Sequence, residues 1–74
     1  MEQTQMTPAE TLTILERHFG AGKVPAKHLN LLKWWERLLA DPAASKGMRR
    51  ACERDLEEIV GPIAGQRVVW NMLG

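Results

Sequence analysis

Tyrosine is missing from this 74-residue chain, phenylalanine and cysteine occur once each, and neither sign of charge dominates. Each shortage closes a route. With Cys52 alone, no intrachain disulfide can form, and a reducing compartment is expected. His18 and His28 have no cysteine or acidic cluster at ligand spacing, so no metal site is expected. The formal charge of +1 and pI near 8.0 fall short of the basic balance of a dedicated nucleic-acid binder. Apolar runs are short, as in Leu38-Leu39-Ala40 and Val68-Val69-Trp70, against the roughly 20 residues of a membrane span. Residues 1–7 are polar and lack the apolar segment of a signal peptide. A cytoplasmic location is expected, with no membrane partner and no cofactor.

What the chain does have is apolar surface. Hydrophobic residues make up 45% of it, three of them tryptophans. A chain this short is one domain and buries only about 60% of the surface its unfolded form exposes. Small domains make up the shortfall with disulfides, a metal or a partner subunit. The first two are closed, so association with another chain is expected, with a homodimer as its simplest form.

The punctuation predicts an all-α fold: a compact three-helix domain with a short C-terminal helix or extended tail, over residues 1–74. Residues 1–6 are expected to be a flexible N-terminus. In Thr7-Pro8-Ala9-Glu10, Thr7 can cap, Pro8 suits the first helical position and Glu10 completes a capping box. The first helix, 8–19, puts Leu12, Leu15 and Phe19 on one face, with Thr11 and His18 at its edge and Ile14 opposite. Gly20 supplies its exit.

The second helix, 26–40, follows Pro25. At about 100° per residue, His28, Leu32, Trp35 and Leu39 form one stripe, with Leu31 and Leu38 beside it and Trp34 extending it. The arc is wider than an ordinary surface helix needs, and Leu29 falls outside even that. Trp34 and Trp35 are about 100° apart, so Trp35 is assigned to the interior and Trp34 to an interface. Asp41-Pro42 ends this helix, and Asp41 can cap the turn through Ala44.

The third helix, 46–60, has a core face of Met48, Cys52, Leu56 and Ile59, with Ala51 alongside and Asp55 within the arc. Gly61-Pro62 stops it. In the tail, 62–74, Pro62 can begin a helix carrying Val69, Trp70 and Leu73, or Arg67-Val68-Val69-Trp70 can extend, since valine and tryptophan favour strands. A short helix from about Gly65 is preferred. Leu12, Leu15, Phe19, Leu32, Trp35, Leu39, Ile59 and Trp70 are assigned to core or dimer packing.

Motifs for chemistry fail one by one. Gly20-Ala21-Gly22-Lys23 invites a phosphate-loop reading, but Arg17 stands where the pattern needs glycine, and Val24 where it needs serine or threonine. Nor do these glycines follow a strand, as the dinucleotide fingerprint requires. Cys52 lies on the core face, where free cysteine behaves as a small hydrophobe. Neither histidine has a partner implying a triad, and so short a chain has little room for an enclosed pocket. No enzymatic activity is expected.

The charge order of the third helix is unusual. Lys46, Arg49 and Arg50 come first, and Glu53, Asp55, Glu57 and Glu58 fill its second half. The helix dipole favours the reverse by about 0.3–1 kcal/mol for a charge in a terminal turn. The pairs Arg49–Glu53 and Arg54–Glu58 recover some of that, again in the less favourable order. Such a bipolar face suits a partner of complementary charge.

Two function classes remain. One is a small non-catalytic regulator that docks on another protein as adaptor, inhibitor or anti-activator. Trp34, Arg37, Lys46, Arg49, Arg50 and Arg54 would form its binding surface, since tryptophan and arginine dominate hot spots. The other is a helix-turn-helix-like nucleic-acid module, with Lys46, Arg49, Arg50 and Arg54 facing phosphates; the acidic half of the helix opposes it. In size and plan the chain resembles the small accessory proteins with which phages and other mobile elements block a host regulator or enzyme, which implies inhibition by docking.

Overall fold

The computed structural model describes residues 4–65 and 68–72. Six elements follow one another: β1 (Thr4–Met6), α1 (Pro8–Phe19), α2 (Ala26–Ala40), α3 (Lys46–Ile59), α4 (Gly61–Ala64) and β2 (Val68–Trp70). The molecule is mostly helical, with a two-stranded parallel sheet joining its ends.

Local chemistry sets the helix boundaries. At α1 the Glu10 N–H donates to Thr7 Oγ1 at 3.3 Å, and the Thr7 hydroxyl donates to Glu10 Oε1 at 3.0 Å. The Glu10 carboxylate thus grips the capping hydroxyl, a variant of the usual box in which it takes the backbone N–H. Gly20 ends the helix at φ 102°, ψ 149°, a conformation open in practice only to glycine. Between α2 and α3, Asp41 Oδ1 accepts the Ala43 N–H at 2.9 Å, and Ser45 Oγ caps α3 through the Met48 N–H at 3.2 Å.

The core is centred on Trp35, Leu15, Leu56, Val60, Cys52 and Thr11, all under 2% exposed. Thr11 is the odd member. Its hydroxyl donates to the Thr7 carbonyl at 2.8 Å, so it enters the interior with no unmet donor, as burial of a polar group requires. Around this centre Leu31, Leu32, Leu38, Met6, Val68, Trp70 and Met72 are buried as well. Leu12, Phe19, Trp34, Leu39 and Ile59 are half-buried against it. Ile14, which periodicity set opposite the apolar face of α1, also packs on the core, and α1 is flanked by both α2 and α4.

The ends of the chain correct two expectations. Residues 4–6 are not a loose N-terminus: Thr4, Gln5 and Met6 pair in parallel register with Val68, Val69 and Trp70, and Met6 is 3% exposed. The fold is therefore not purely helical. Among the described residues the tail forms no helix from Gly65 either. The extra helix is α4, before that glycine, and Gly65 ends it in the left-handed conformation at φ 68°. Beyond it Val68 and Trp70 point inward with Val69 between them, the period of two expected of a strand. Arg67 and Leu73, also assigned to the tail, lie outside the described residues.

Parallel strands of three residues cannot stand alone, and four bonds hold this pair. Trp35 Nε1 donates to the Asn71 carbonyl at 2.7 Å, and Arg49 Nη1 to the Met72 carbonyl at 2.5 Å. Trp70 Nε1 donates to Glu57 Oε2 at 2.6 Å, and the Asn71 N–H donates to the Met6 carbonyl at 3.1 Å. The Trp35 and Trp70 rings meet edge to face with centroids 6.0 Å apart, a contact worth about 0.5–1.5 kcal/mol beyond area burial. Trp35→Phe keeps a ring at that site but removes the bond to Asn71. We expect a loss of about 1–3 kcal/mol, read as a lowered urea midpoint with unchanged helical circular dichroism. An unchanged midpoint would show that the tail is held without this bond.

Candidate functional site

α3 uses its two sides differently. Inward, Cys52 and Leu56 are fully buried, and Ala51, Asp55 and Ile59 are half-buried. Outward, Lys46, Arg50, Glu53, Arg54, Glu57 and Glu58 are exposed. No acidic residue lies in its first turn and no basic residue in its last, so the dipole-opposed order of the sequence persists in the folded helix.

Beside that outward face run two adjoining open grooves. The larger, about 360 Å³, lies between α3 and β2, with Arg50, Glu53, Arg54 and Glu57 on one wall and Val68, Val69 and Trp70 on the other. The smaller, about 240 Å³, continues past Lys46, Arg49 and Met72. In the larger groove the α3 wall alternates in charge, and the β2 wall is aromatic and aliphatic. Among the described residues, no hydrogen bond or ion pair within the protein engages Arg50, Glu53 or Arg54.

The six residues assigned to partner binding do not form one surface of equals. Arg50 and Arg54 line the larger groove, and Lys46 the smaller. Arg49 is half-buried and committed within the chain: besides Met72, its Nη2 donates to the Asp41 carbonyl at 2.8 Å. A guanidinium spent on two carbonyls of its own fold is an anchor for the tail. On α2, Arg37 is exposed while Trp34 packs half-buried on the core, leaving only an edge to offer a partner. Sequence reasoning missed Glu53, Glu57 and the wall from Val68 to Trp70. The glutamates were visible as charge, but only the tail's position shows that they share a groove with it.

Another groove, about 340 Å³, separates α1 from α2 and is lined by Leu12, Leu29, Leu32, Lys33 and Glu36 among others. Leu29, outside the apolar arc of α2, is 37% exposed beside it.

The groups with chemical potential lie elsewhere. Cys52 is fully buried, and its thiol is pushed up to about 11 by burial, then by Asp55 and Glu53. A neutral, enclosed thiol is a poor nucleophile. His28 touches Phe19 edge to face at 5.1 Å, and Phe19 in turn meets His18 at 4.7 Å. Burial, Lys27 and His18 together lower its pKa, and its Nδ1 is buried without a partner. Among the described residues no group of three or more histidine, cysteine or acidic side chains is placed to hold a metal, and no helix is long and apolar enough to cross a membrane.

Set against known proteins, the chain matches no family model, no curated protein and no solved structure.

Both perturbed groups set a pH dependence of stability. The raised Cys52 thiol stays protonated in the fold while the unfolded chain begins to ionise near its ordinary 9.0. Its contribution is therefore complete below about pH 9 and is lost as pH rises toward about 11. For His28, with its pKa lowered from 6.5, the unfolded chain takes up the proton first, so stability falls as pH drops through and below that value. We expect Cys52→Ala to flatten the alkaline limb of a stability profile and His28→Gln the acid limb. Limbs identical to wild type would show that other groups set them. Native Cys52 should also resist a thiol reagent that labels the unfolded chain at once.

Proposed function

We propose that this chain is a small non-catalytic regulator that acts by docking on another protein, as an inhibitor or anti-activator. The docking surface in this reading is the outward face of α3 with the groove it shares with β2. One observation carries it: among the described residues, the side chains of Arg50, Glu53 and Arg54 stand exposed without a hydrogen bond or ion pair, on one wall of a groove whose other wall is Val68, Val69 and Trp70. Unpaired charges next to apolar and aromatic surface have the make-up of an interface, with a hot spot ringed by polar groups.

The same residues weigh against a helix-turn-helix reading. Arg49 is engaged by Asp41 and Met72, and Glu53 and Glu57 share the groove with Arg50 and Arg54. A phosphate backbone laid there would meet carboxylates at each turn. Cys52, enclosed and neutral, offers no nucleophilic thiol to this surface.

The test is a matched capture from nuclease-treated extract of the native host, with wild type and an Arg50→Ala/Arg54→Ala variant as bait. The reading expects a protein retained by wild type and reduced several-fold by the variant, whose circular dichroism should match. Retention unaffected by the substitutions would remove this face from the surface. Specific retention of DNA, falling steeply with salt, would move the protein to the nucleic-acid class.

A further inference from the structure

We infer that the larger groove takes an extended peptide segment of another protein, which adds a strand to the open edge of β2 and turns acidic residues toward Arg50 and Arg54. The inference rests on reading the α3 face as a docking surface and names its occupant.

Its ground is the direction of the main chain in β2. The sheet has two strands, so β2 is paired on one edge only. The Asn71 N–H goes to the Met6 carbonyl of β1 at 3.1 Å. Main-chain groups of successive strand residues turn to opposite edges. Val69 therefore also faces β1, while the N–H and C=O of Val68 and of Trp70 face away from it. Among the described residues these groups make no hydrogen bond within the protein. Unpaired main-chain groups on a strand whose side chains are buried are uncommon in folded proteins, and such an edge is a template for a further strand.

The groove runs along that edge. A groove on one face of β2 would meet alternate residues. This one is lined by Val68, Val69 and Trp70 in succession, and among the described residues by none of β1. Opposite stands α3, with Arg50 and Arg54 four residues apart, about 6 Å along the helix axis. Alternate residues of an extended chain repeat at about 6.6 Å, so two of them can meet both arginines at once.

The charge left for a partner is mostly positive. Arg49 is spent on Asp41 and Met72, and Glu57 accepts the Trp70 indole N–H. Lys46, Arg50 and Arg54 then stand against Glu53 along the two grooves. A peptide can set acidic residues opposite Arg50 and Arg54 and a neutral one opposite Glu53. A uniform phosphate chain has no such choice.

The experiment selects heptapeptides from a displayed random library on the wild-type protein and measures the selected ones by fluorescence anisotropy. They should carry aspartate or glutamate two positions apart, with no proline between. Only alternate N–H groups of an added strand face its neighbour. N-methylation of alternate peptide nitrogens should therefore lower affinity about tenfold in one set and leave it nearly unchanged in the other. Arg50→Ala/Arg54→Ala should lower it about tenfold as well. Val68→Pro should also weaken binding, since it removes a donor from the open edge and none from the ladder with β1.

A library that yields no binder overturns the inference, as does a basic consensus, or equal tolerance of N-methylation in both sets. Circular dichroism checks the fold of each variant. If Val68→Pro unfolds the chain, the N-methylated peptides decide, because they alter no residue of the protein. A protein captured through Arg50 and Arg54, with peptides that fail these tests, sinks strand addition and leaves the docking reading standing. Peptides that pass, with no protein captured from the native host, support the open edge and count against the proposed regulator.

Discussion

The bond from the Trp35 indole to the Asn71 carbonyl, at 2.7 Å, is the constraint on which most of the structure depends. Trp35 is the largest of the fully buried side chains, and its one polar atom must find an acceptor inside. The main chain beyond β2 supplies it. That requirement draws the tail across the helices, lays Val68, Trp70 and Met72 over the core, and leaves β2 alongside β1. Three residues per strand contribute little alone. The pairing of the chain ends is a consequence of the helical packing and in turn a lid upon it.

The parts legible in the sequence are those whose causes are local. The caps at Thr7 and Asp41, the breaks at Gly20 and Asp41-Pro42, and the stripe through Leu32 and Trp35 each depend on neighbours within a turn. Thr11 was ranked as an edge residue because periodicity counts it polar, yet its hydroxyl is satisfied one turn back on Thr7 and it behaves inside as a small apolar group. Ile14 lies off the apolar stripe of α1 by helical period, yet it packs on the core in a helix that touches α4 as well as α2, and α4, four residues long, is invisible to any helical period. The tail was misread for the same kind of reason. Val68-Val69-Trp70 is too short to declare itself, and its partner β1, three residues long, carries no alternation strong enough to mark a strand.

The candidate site divides along the same line. That Arg50 and Arg54 are exposed follows from helical spacing alone. That Arg49 is not available follows from its bonds to the carbonyls of Asp41 and of Met72, the latter 23 residues further along the chain. Adjacent arginines with the same chemistry thus have different employment: one anchors the tail and one faces solvent. Glu57 belongs to both groups, since it accepts the Trp70 indole N–H at 2.6 Å while forming a wall of the groove.

This double engagement bears on how weak charges can make a specific surface. An isolated surface ion pair contributes little because two long side chains must be ordered to form it. Binding is cheaper when the backbone beneath is already fixed. Here α3 is tied to the tail near its start by Arg49 and near its end by Glu57, with Cys52 and Leu56 buried between. Its rotation is therefore set, and Arg50, Glu53 and Arg54 leave it in fixed directions beside a wall that the same tail provides. The tail both closes the core and fixes the direction in which the charges of α3 face outward. A change that loosens the Trp35–Asn71 bond should for that reason weaken the docking proposed for α3 without touching a single residue of its face.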